Sequence, residues 1–306
     1  MNSGEGRGLW YGLSAYLLWG LFPVYFKLIG YVPADQIIAH RIVWSFLLLA
    51  AVVAVWSRRG GWLLTGKVIR IYTAAALLIA VNWFIYVWAV THNFILETSL
   101  GYFITPLVNV LLGVMILGER LRRFQWVAIG FAAAGVGYLA AVHGNVPWIA
   151  VGLAVSFSTY GLVKKTAPLG SVVGLTLETG LLLVPALVFL AATELRGDGA
   201  FLHLDAARMI LVAAAGPITT LPLVLFAAAV QRIPLSTIGI LQFIAPTVQF
   251  VLGIVVYKEP FTEQKLIGFA LVWVAVSVFA TEGIAANRRA NSRGRGANPV
   301  GFARRA

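Results

Sequence analysis

The chain has 306 residues, of which 60% are hydrophobic and only 11% are charged, and its mean hydropathy is +0.89. A water-soluble domain carries about 25% charged residues, so this composition excludes a soluble globular protein and indicates a polytopic membrane protein. The sequence contains no cysteine, which excludes disulfide bonds and thiolate metal sites. The formal net charge of +12 would also suit a nucleic-acid-binding protein, but the sequence offers no basic soluble module, so no nucleic-acid partner is expected.

Apolar stretches of about 20 residues, long enough to cross a bilayer as helices, recur along the chain. The first stretch is followed at once by a second and lacks a small-residue cleavage signal, so we expect it to be retained as a membrane helix. We predict ten transmembrane helices, at residues 9–30, 35–56, 71–91, 95–117, 125–142, 147–163, 170–192, 207–230, 233–256 and 264–283. Residues 284–306 are rich in Arg, Asn and Gly and contain no apolar run, which predicts a disordered basic tail.

Basic residues are distributed unevenly between alternate loops. If the amino terminus is cytoplasmic, most of the 23 basic residues lie on the inner side, and the outer loops hold only Arg196, Arg208, Lys258 and Lys265. The positive-inside rule then predicts that both termini are cytoplasmic. This topology accounts for the net charge, and the basic tail is a candidate for contact with anionic lipid.

Residues 89–136 align without a gap with residues 229–276, which indicates an internal repeat. The apolar identities carry little weight, because membrane helices share Leu and Val by chance. The informative identities involve residue types that membrane helices rarely hold, namely Pro106 with Pro246, Gly113 with Gly253 and Glu119 with Glu259.

Corresponding helices of this repeat lie five spans apart, and an odd number of spans inverts the second copy in the membrane. We therefore predict an all-α polytopic membrane fold of ten helices, arranged as two inverted five-helix repeats at residues 1–145 and 146–283. Inverted repeats are typical of secondary transporters, which bind substrate near the midplane between the two halves.

Pro106 and Pro246 each fall near the middle of a predicted helix. A proline there frees a backbone carbonyl, which lipid tolerates only where neighbouring groups or cavity water satisfy it. Two equivalent prolines therefore favour a central cavity, with simple packing kinks as the alternative. Polar residues share helix faces nearby, and interhelical hydrogen bonding is the alternative role for each. The residues that we predict to line the cavity and bind substrate are Trp19, Asn82, Tyr86, Tyr102, Asn109, Tyr160, Gln242 and Gln249.

Several ionisable residues fall within predicted helices, where a charge is costly unless it faces protein, water or the interface. We predict coupling or gating roles for Lys27, His40, Arg41, Glu97 and Glu178. The alternative for Lys27 is a side chain that extends to the interface. For Arg41 and Glu97, a structural ion pair and contact with substrate are both open. Glu178 would either exchange a proton or stay fixed in an ion pair. His40, which meets Glu178 when the chain is aligned with itself at an offset of 138 residues, is the other candidate for protonation.

Glu119 and Glu259 lie at turns that follow their predicted helices. A carboxylate at such a turn can accept hydrogen bonds from the first amides of the next helix and interacts favourably with its dipole. We therefore expect both to be structural. The fifth and tenth helices follow these turns, carry few polar residues, and are expected to form a scaffold or a homodimer surface.

Distinctive segments occur along nearly the whole chain, including LWGLFPVYFK at residues 18–27, NWFIYVWAV at 82–90 and LETSLGYFITPL at 96–107. In these segments the chain resembles the RarD proteins of bacteria, which belong to the EamA family of the drug/metabolite transporter superfamily. The resemblance implies ten helices in two inverted repeats and a location in the bacterial inner membrane. One departure is Thr105, where RarD sequences commonly have asparagine, so an amide contact to substrate is not expected there.

Enzyme motifs are incomplete in this sequence. Residues 61–67 have the spacing of a nucleotide-binding P-loop, but Val68 replaces the required Ser or Thr and no strand is predicted before it. The sequence offers no metal-ligand spacing and no nucleophile motif. We therefore expect neither an enzyme nor a cofactor or metal.

These patterns together predict a secondary active transporter of small metabolites or drug-like solutes that works by alternating access. Coupling to protons and exchange of one solute for another are both open, as are the substrate and the direction of transport. The expected partners are a small-molecule substrate and the lipid bilayer, with protons and a second copy of the chain as candidates. The alternative is a membrane scaffold or sensor that moves no solute.

Overall fold

A computed structural model describes residues 3–56, 65–91, 95–143, 148–256 and, apart from 269, 272 and 280, residues 266–282. These residues form helices and short connections, with no strand among them. The α-helices are α1 (Ser3–Gly20), α2 (Phe22–Leu28), α3 (Ala34–Trp56), α4 (Gly66–Thr91), α5 (Ile95–Met115), α6 (Arg123–His143), α7 (Trp148–Thr166), α8 (Ser171–Leu195), α9 (Ala206–Ala213), α10 (Ala215–Val230), α11 (Leu235–Gln242) and α12 (Ile244–Val251). A 3-10 turn at Phe201–His203 precedes α9, a π-helical turn at Leu252–Val256 follows α12, and residues 266–282 are helical where described.

Five helical segments are long and apolar enough to cross a membrane: Gly4–Leu28, Ala34–Val55, Gly66–Tyr86, Ser171–Leu195 and Ala206–Val230. Shorter apolar helices lie at Gly101–Met115, Leu235–Gln249 and Leu266–Phe279. The predicted all-helical, polytopic membrane fold is therefore confirmed. The number of ten spans stays a prediction, and the predicted tail at 284–306 lies outside the described residues.

Prolines divide three of the predicted helices into two shorter ones. Pro23 lies just after the turn at Leu21, and Pro217 and Pro246 lie just after the turns that end α9 and α11. Each removes the N–H that would bond the carbonyl four residues earlier, so the helix bends there. By contrast, α5 runs through Pro106 without a break. The two aligned prolines therefore differ in their local effect.

The helices pack in a regular pattern. The most extensive contacts pair α5 with α7 and α11, α1 with α10 and α12, α3 with α8 and α10, and α4 with α7 and α8. Two glycines allow especially close crossings, because a Cβ at Gly216 would lie 2.5 Å from the Trp44 carbonyl carbon, and one at Gly239 would lie 2.6 Å from the Pro106 carbonyl oxygen. These crossings bring α10 against α3 and α11 against α5.

A cluster of buried aromatic and aliphatic side chains fills the centre between α1, α7, α10 and α11. Tyr160 and Phe226 stack with their ring planes 12° apart and their centroids 6.1 Å apart, and Tyr16 meets Phe226 edge-on at 6.3 Å. Such pairs add to the stability that burial of the rings provides. This cluster fixes the relative positions of the elements that carry the polar residues described below.

Polar contacts between connecting segments mark the two ends of the bundle. At one end, the Tyr72 hydroxyl, near the start of α4, donates to the carbonyl of Leu169, which precedes α8. The Lys165 ammonium, at the end of α7, donates to the carbonyl of Ile233, which precedes α11. We call this the Lys164 end. At the other end, which we call the Arg41 end, the Gln36 amide near the start of α3 donates to the Asp198 carbonyl after α8.

Candidate functional site

A buried ion pair lies at the Lys164 end. Lys164 Nζ is 2.5 Å from Glu178 Oε1, and the side chains of both residues are 1% exposed. The Tyr160 hydroxyl donates to the other carboxylate oxygen at 3.0 Å, and Lys164 Nζ lies 5.3 Å from the centre of the Tyr72 ring. The carboxylate thus receives two donors from α7, one helix turn apart. Glu178 therefore forms an ion pair in this structure, and its coupling or gating role stays a prediction.

Further hydrogen bonds join the connecting segments around this ion pair. Lys165 Nζ donates to the carbonyls of Val230 at 3.1 Å and Ile233 at 2.7 Å, and Gln231 Nε2 donates to the Leu169 carbonyl at 3.1 Å. These contacts tie the end of α7 to the turn between α10 and α11. The Lys164 end is therefore held together by direct contacts between helix ends.

Glu119 strengthens the same end in a way that differs from the sequence prediction. Its Oε1 accepts the Leu235 amide at 2.6 Å, and its Oε2 accepts the Ser236 amide at 2.9 Å and the Ser236 hydroxyl at 2.7 Å. Glu119 therefore caps α11, in the other predicted half, whereas the sequence pattern suggested a cap on α6, the next helix. Glu259 lies outside the described residues.

Arg41 lies on α3 near the opposite end of the bundle. Its Nε donates to the Thr219 hydroxyl at 2.8 Å, and the guanidinium carbon lies 4.7 Å from the centre of the Trp83 ring and 5.6 Å from that of Phe26. Contact with ring faces is favourable for a guanidinium. The side chain of Glu97 lies outside the described residues, so the predicted Arg41–Glu97 ion pair does too.

Tyr86 and Tyr102 lie within electrostatic range of the Arg41 guanidinium, on α4 and α5. Their rings meet at an angle of 66° with centroids 6.4 Å apart. Tyr86 is 38% exposed and Tyr102 is 40% exposed, whereas Tyr160, at the other end, is fully buried. The structure therefore brings together three of the predicted site residues, Arg41, Tyr86 and Tyr102, and leaves part of their surface open.

Three of the predicted amide residues instead join helices. Asn82 Nδ2 donates to the Leu153 carbonyl at 3.0 Å and the Ser156 hydroxyl at 2.9 Å, which ties α4 to α7. Asn109 Nδ2 donates to Gln242 Oε1 at 2.7 Å, which ties α5 to α11. These are the interhelical bonds that sequence analysis offered as the alternative, and a substrate-binding role for them stays a prediction.

Gln249, also predicted to bind substrate, makes a contact that proline chemistry explains. Its Nε2 donates to the Trp19 carbonyl at 3.2 Å. That carbonyl is four residues before Pro23, which has no N–H to offer it. In a membrane a freed carbonyl must find another donor, and Gln249 on α12 supplies one. The Trp19 ring, half-buried, packs against Tyr16, Phe157 and Phe226.

His40 and Lys27 also lie toward the Arg41 end. The His40 ring is buried and lies 4.4 Å from the ring of Phe201, and its Nε2 has no hydrogen-bond partner among the described residues. Lys27 is in the last turn of α2. His40 and Glu178 therefore lie at opposite ends of the bundle, as their positions in oppositely oriented helices require.

The sequence pattern does not identify the partners of Arg41 and Glu178. Lys164 follows Tyr160 by four residues, which predicts that the two share a polar helix face but does not predict the pairing of Lys164 with Glu178. The pattern does not single out Thr219 or Trp83 as partners of Arg41. A threonine in an apolar helix most often bonds the backbone of its own helix. Their importance comes from packing between helices that are distant in sequence.

Comparison with known proteins identifies the family of this chain. The EamA-like transporter family matches residues 6–141. Protein RarD of Streptomyces exfoliatus is 41% identical over 300 residues, which cover 97% of this chain and 95% of that protein. Protein RarD of Escherichia coli K12 is 42% identical over 289 residues, with 92% and 97% coverage. The chain belongs to the EamA-like transporter family.

A further relative and a solved structure are also similar to this EamA-like transporter. An uncharacterized transporter of Vibrio cholerae is 43% identical over 291 residues, covering 93% of the chain and 95% of the relative. A solved crystal structure superposes with a TM-score of 0.66 at 19% identity, covering 89% of this chain and 96% of the solved one. The likeness to the solved structure concerns the fold alone. Bacterial relatives and apolar helices together indicate a multi-pass protein of the bacterial inner membrane.

Proposed function

We propose that this EamA-like transporter is a secondary active transporter that moves small metabolites or drug-like solutes by alternating access. The observation that carries the proposal is the difference between the two ends of the bundle. The Lys164 end is joined by a buried ion pair and by hydrogen bonds between helix ends. At the Arg41 end, polar and aromatic side chains that face one another keep exposed surface.

The helix contacts support two inverted five-helix repeats. In such an arrangement, α1–α2 of the first repeat corresponds to α7 of the second, α4 corresponds to α9–α10, and α5 corresponds to α11–α12. The contact of α1 with α10 then has its counterpart in the contact of α7 with α4. Likewise, the contact of α5 with α7 has its counterpart in the contact of α12 with α1. The helices α3 and α8 correspond to each other, and they are in contact. A bundle with this symmetry can exchange the roles of its halves, which is the basis of alternating access.

The proposed topology has ten spans and both termini in the cytoplasm. In that orientation the Lys164 end faces the cytoplasm and the Arg41 end faces outward. The arrangement then corresponds to a state that is closed on the inside and accessible from the outside. Opening of the Lys164 end would require α7 and the turn after α10 to separate.

The ion pair between Lys164 and Glu178 fits a gating role. It joins α7 to α8 close to the cytoplasmic end and is shielded from water on all sides that the structure describes. Breaking it leaves a buried charge without a partner, so the inner end would open only if another interaction compensates. A proton on Glu178 could supply that compensation, which would make transport proton-coupled.

Accessibility to a membrane-impermeant thiol reagent tests the proposed state. The chain has no cysteine, so single substitutions are readily introduced. Tyr102→Cys should react from the outside, Ser158→Cys, at a fully buried position, should not, and Arg208→Cys should serve as the exposed control. Labelling at Arg208→Cys without labelling at Tyr102→Cys would reject an outward cavity and favour the scaffold or sensor alternative.

Uptake into proteoliposomes tests transport itself and its coupling. A panel of radiolabelled metabolites is compared with and without an imposed pH gradient. Proton coupling predicts gradient-driven accumulation that Glu178→Gln abolishes, while exchange against internal solute persists. If Glu178→Gln leaves gradient-driven uptake unchanged, the coupling role of Glu178 is wrong.

A further inference from the structure

A guanidinium group lies inside the Arg41 end without a carboxylate partner among the described residues. Arg41 has five N–H donors. Among the described residues, the Thr219 hydroxyl accepts a hydrogen bond from Nε. The two terminal amino groups of the guanidinium have no acceptor among the described residues. A charge at membrane depth is retained where it meets a partner, an ion or a substrate.

The surroundings of Arg41 fix how it presents these donors. The rings of Trp83 and Phe26 lie against the guanidinium, and the bond from Nε to Thr219 occupies one of its edges. The edge that remains consists of the two terminal amino groups. Two parallel N–H groups at this spacing match the two oxygens of a carboxylate, with which arginine forms bidentate pairs.

Tyr86 and Tyr102 lie near the same guanidinium. Both lie within electrostatic range of the guanidinium and keep more than a third of their surface exposed. A phenol hydroxyl can donate a further hydrogen bond to an anion, and its ring offers a flat apolar wall. The site thus combines a single positive charge with flat apolar surfaces.

We infer that the Arg41 end binds a monocarboxylate with a flat apolar body, with its carboxylate paired to Arg41 and its body beside Trp83, Tyr86 and Tyr102. One guanidinium neutralises one carboxylate, whereas a phosphate ester would bring a second charge without a described partner. The inference rests on the proposed function and names its substrate class. Of the roles that the sequence left open for Arg41, it selects contact with substrate and names the chemical class that Arg41 would recognise.

Binding to the purified protein is the first test. Benzoate and indole-3-acetate serve as probes, and their primary amides, benzamide and indole-3-acetamide, serve as uncharged analogues of the same shape. Because a ligand that binds the folded state stabilises it, the acids should raise the melting temperature in a saturable way, and the amides should bind at least about tenfold more weakly. Equal effects of acids and amides, or no effect of either, would overturn the inference.

Variants locate the effect at Arg41. Arg41→Gln should abolish the difference between acid and amide, and Arg41→Lys should retain the charge but weaken binding, because an ammonium cannot form the planar bidentate pair. Arg208→Gln removes a charge at an exposed position of the same end and should bind like wild type. Unchanged acid binding by Arg41→Gln would refute the assignment.

Thr219→Val provides a milder variant in case Arg41→Gln does not fold. It keeps the shape of the side chain and removes the acceptor that orients Nε. Acid binding should weaken several-fold and amide binding should not change. If Glu97 already neutralises Arg41, the acids do not stabilise wild type and the inference fails on the first test alone.

Uptake measurements separate this inference from the proposed function. Transport of uncharged or cationic solutes, with no transport or binding of the acids, would leave the proposed function standing and overturn the inference. Acid binding that depends on Arg41, with no uptake of any solute, would retain the binding site and overturn the proposed function. Uptake of the acids that Arg41→Gln abolishes would support both.

Discussion

The Glu119 carboxylate and the Ser236 side chain are 117 residues apart in sequence and 2.7 Å apart in the structure. The carboxylate also accepts the amides of Leu235 and Ser236, the first two residues of α11. Glu119 thus links the end of α5 to the start of α11, which belong to different predicted repeats. The contact satisfies amides that a helix start otherwise leaves without acceptors.

Removal of the Glu119 carboxylate should destabilise the protein. Glu119→Ala loses all three hydrogen bonds and exposes two helix amides without acceptors, so we expect a loss of about 2 kcal/mol or more in the free energy of unfolding. Ser236→Ala loses only the hydroxyl bond and should cost about 1 kcal/mol. Thermal unfolding of the purified protein in detergent measures both. A smaller loss for Glu119→Ala than for Ser236→Ala would contradict the capping role.

The buried pair of Lys164 and Glu178 should be sensitive to loss of either partner. Lys164→Met leaves the carboxylate without its cation, and Glu178→Gln leaves the ammonium without its anion. Each should cost about 3–5 kcal/mol, because an unpaired charge then stays buried. The double variant should be more stable than the sum of the two losses predicts, since it removes both charges.

An exposed contact between an imidazole and a carboxylate provides the control for these variants. His203 and Glu194 lie 2.9 Å apart, with side chains 68% and 32% exposed. Glu194→Gln should change the free energy of unfolding by about 1 kcal/mol or less, because solvent screens the pair. Similar losses for Glu178→Gln and Glu194→Gln would mean that water reaches the Lys164–Glu178 pair.

Gln249 and Pro23 should be energetically coupled, although their side chains belong to different helices. Gln249→Leu removes the donor to the Trp19 carbonyl and should cost about 1–2 kcal/mol. In a Pro23→Ala background the restored N–H can bond that carbonyl, so the same substitution should cost clearly less. A double-mutant cycle of unfolding free energies measures the difference.

Gln231 offers a matched control for this cycle. Its amide also donates to a backbone carbonyl, that of Leu169, but at the opposite end of the bundle. Gln231→Leu should therefore cost the same with Pro23 and with Pro23→Ala. If Gln249→Leu behaves in the same way, with no dependence on residue 23, the Trp19 carbonyl has another donor.

Sequence patterns were sufficient for the features that depend on the membrane and on local chemistry. Mean hydropathy identified the membrane fold, and family-like segments such as residues 96–107 identified the EamA-like transporters. The prolines were recognised as points where a carbonyl is freed, but the pattern could not tell which helix would bend. The helix is interrupted near Pro246 and continues through Pro106, because packing of neighbouring helices decides which backbone groups find partners.

Partners across helices were beyond the reach of sequence patterns. Tyr160 was predicted to line a cavity, yet it donates to Glu178 in a fully buried site. Asn82 and Gln249 were assigned to substrate, yet they bond carbonyls of other helices. A polar residue on a helix face carries the same signal in either role, and only the arrangement of the facing helix separates the two.

The close crossing of α11 over α5 makes Gly239 sensitive to any side chain. A Cβ there would lie 2.6 Å from the Pro106 carbonyl oxygen, which is backbone and cannot rotate away. Gly239→Ala should therefore destabilise the protein by about 1–3 kcal/mol, as overpacking does elsewhere. Gly130→Ala is the control, because no atom lies within 4 Å of a Cβ at that exposed position on α6. Thermal unfolding should show a loss for Gly239→Ala and none for Gly130→Ala, and equal stability of the two variants would exclude a tight crossing.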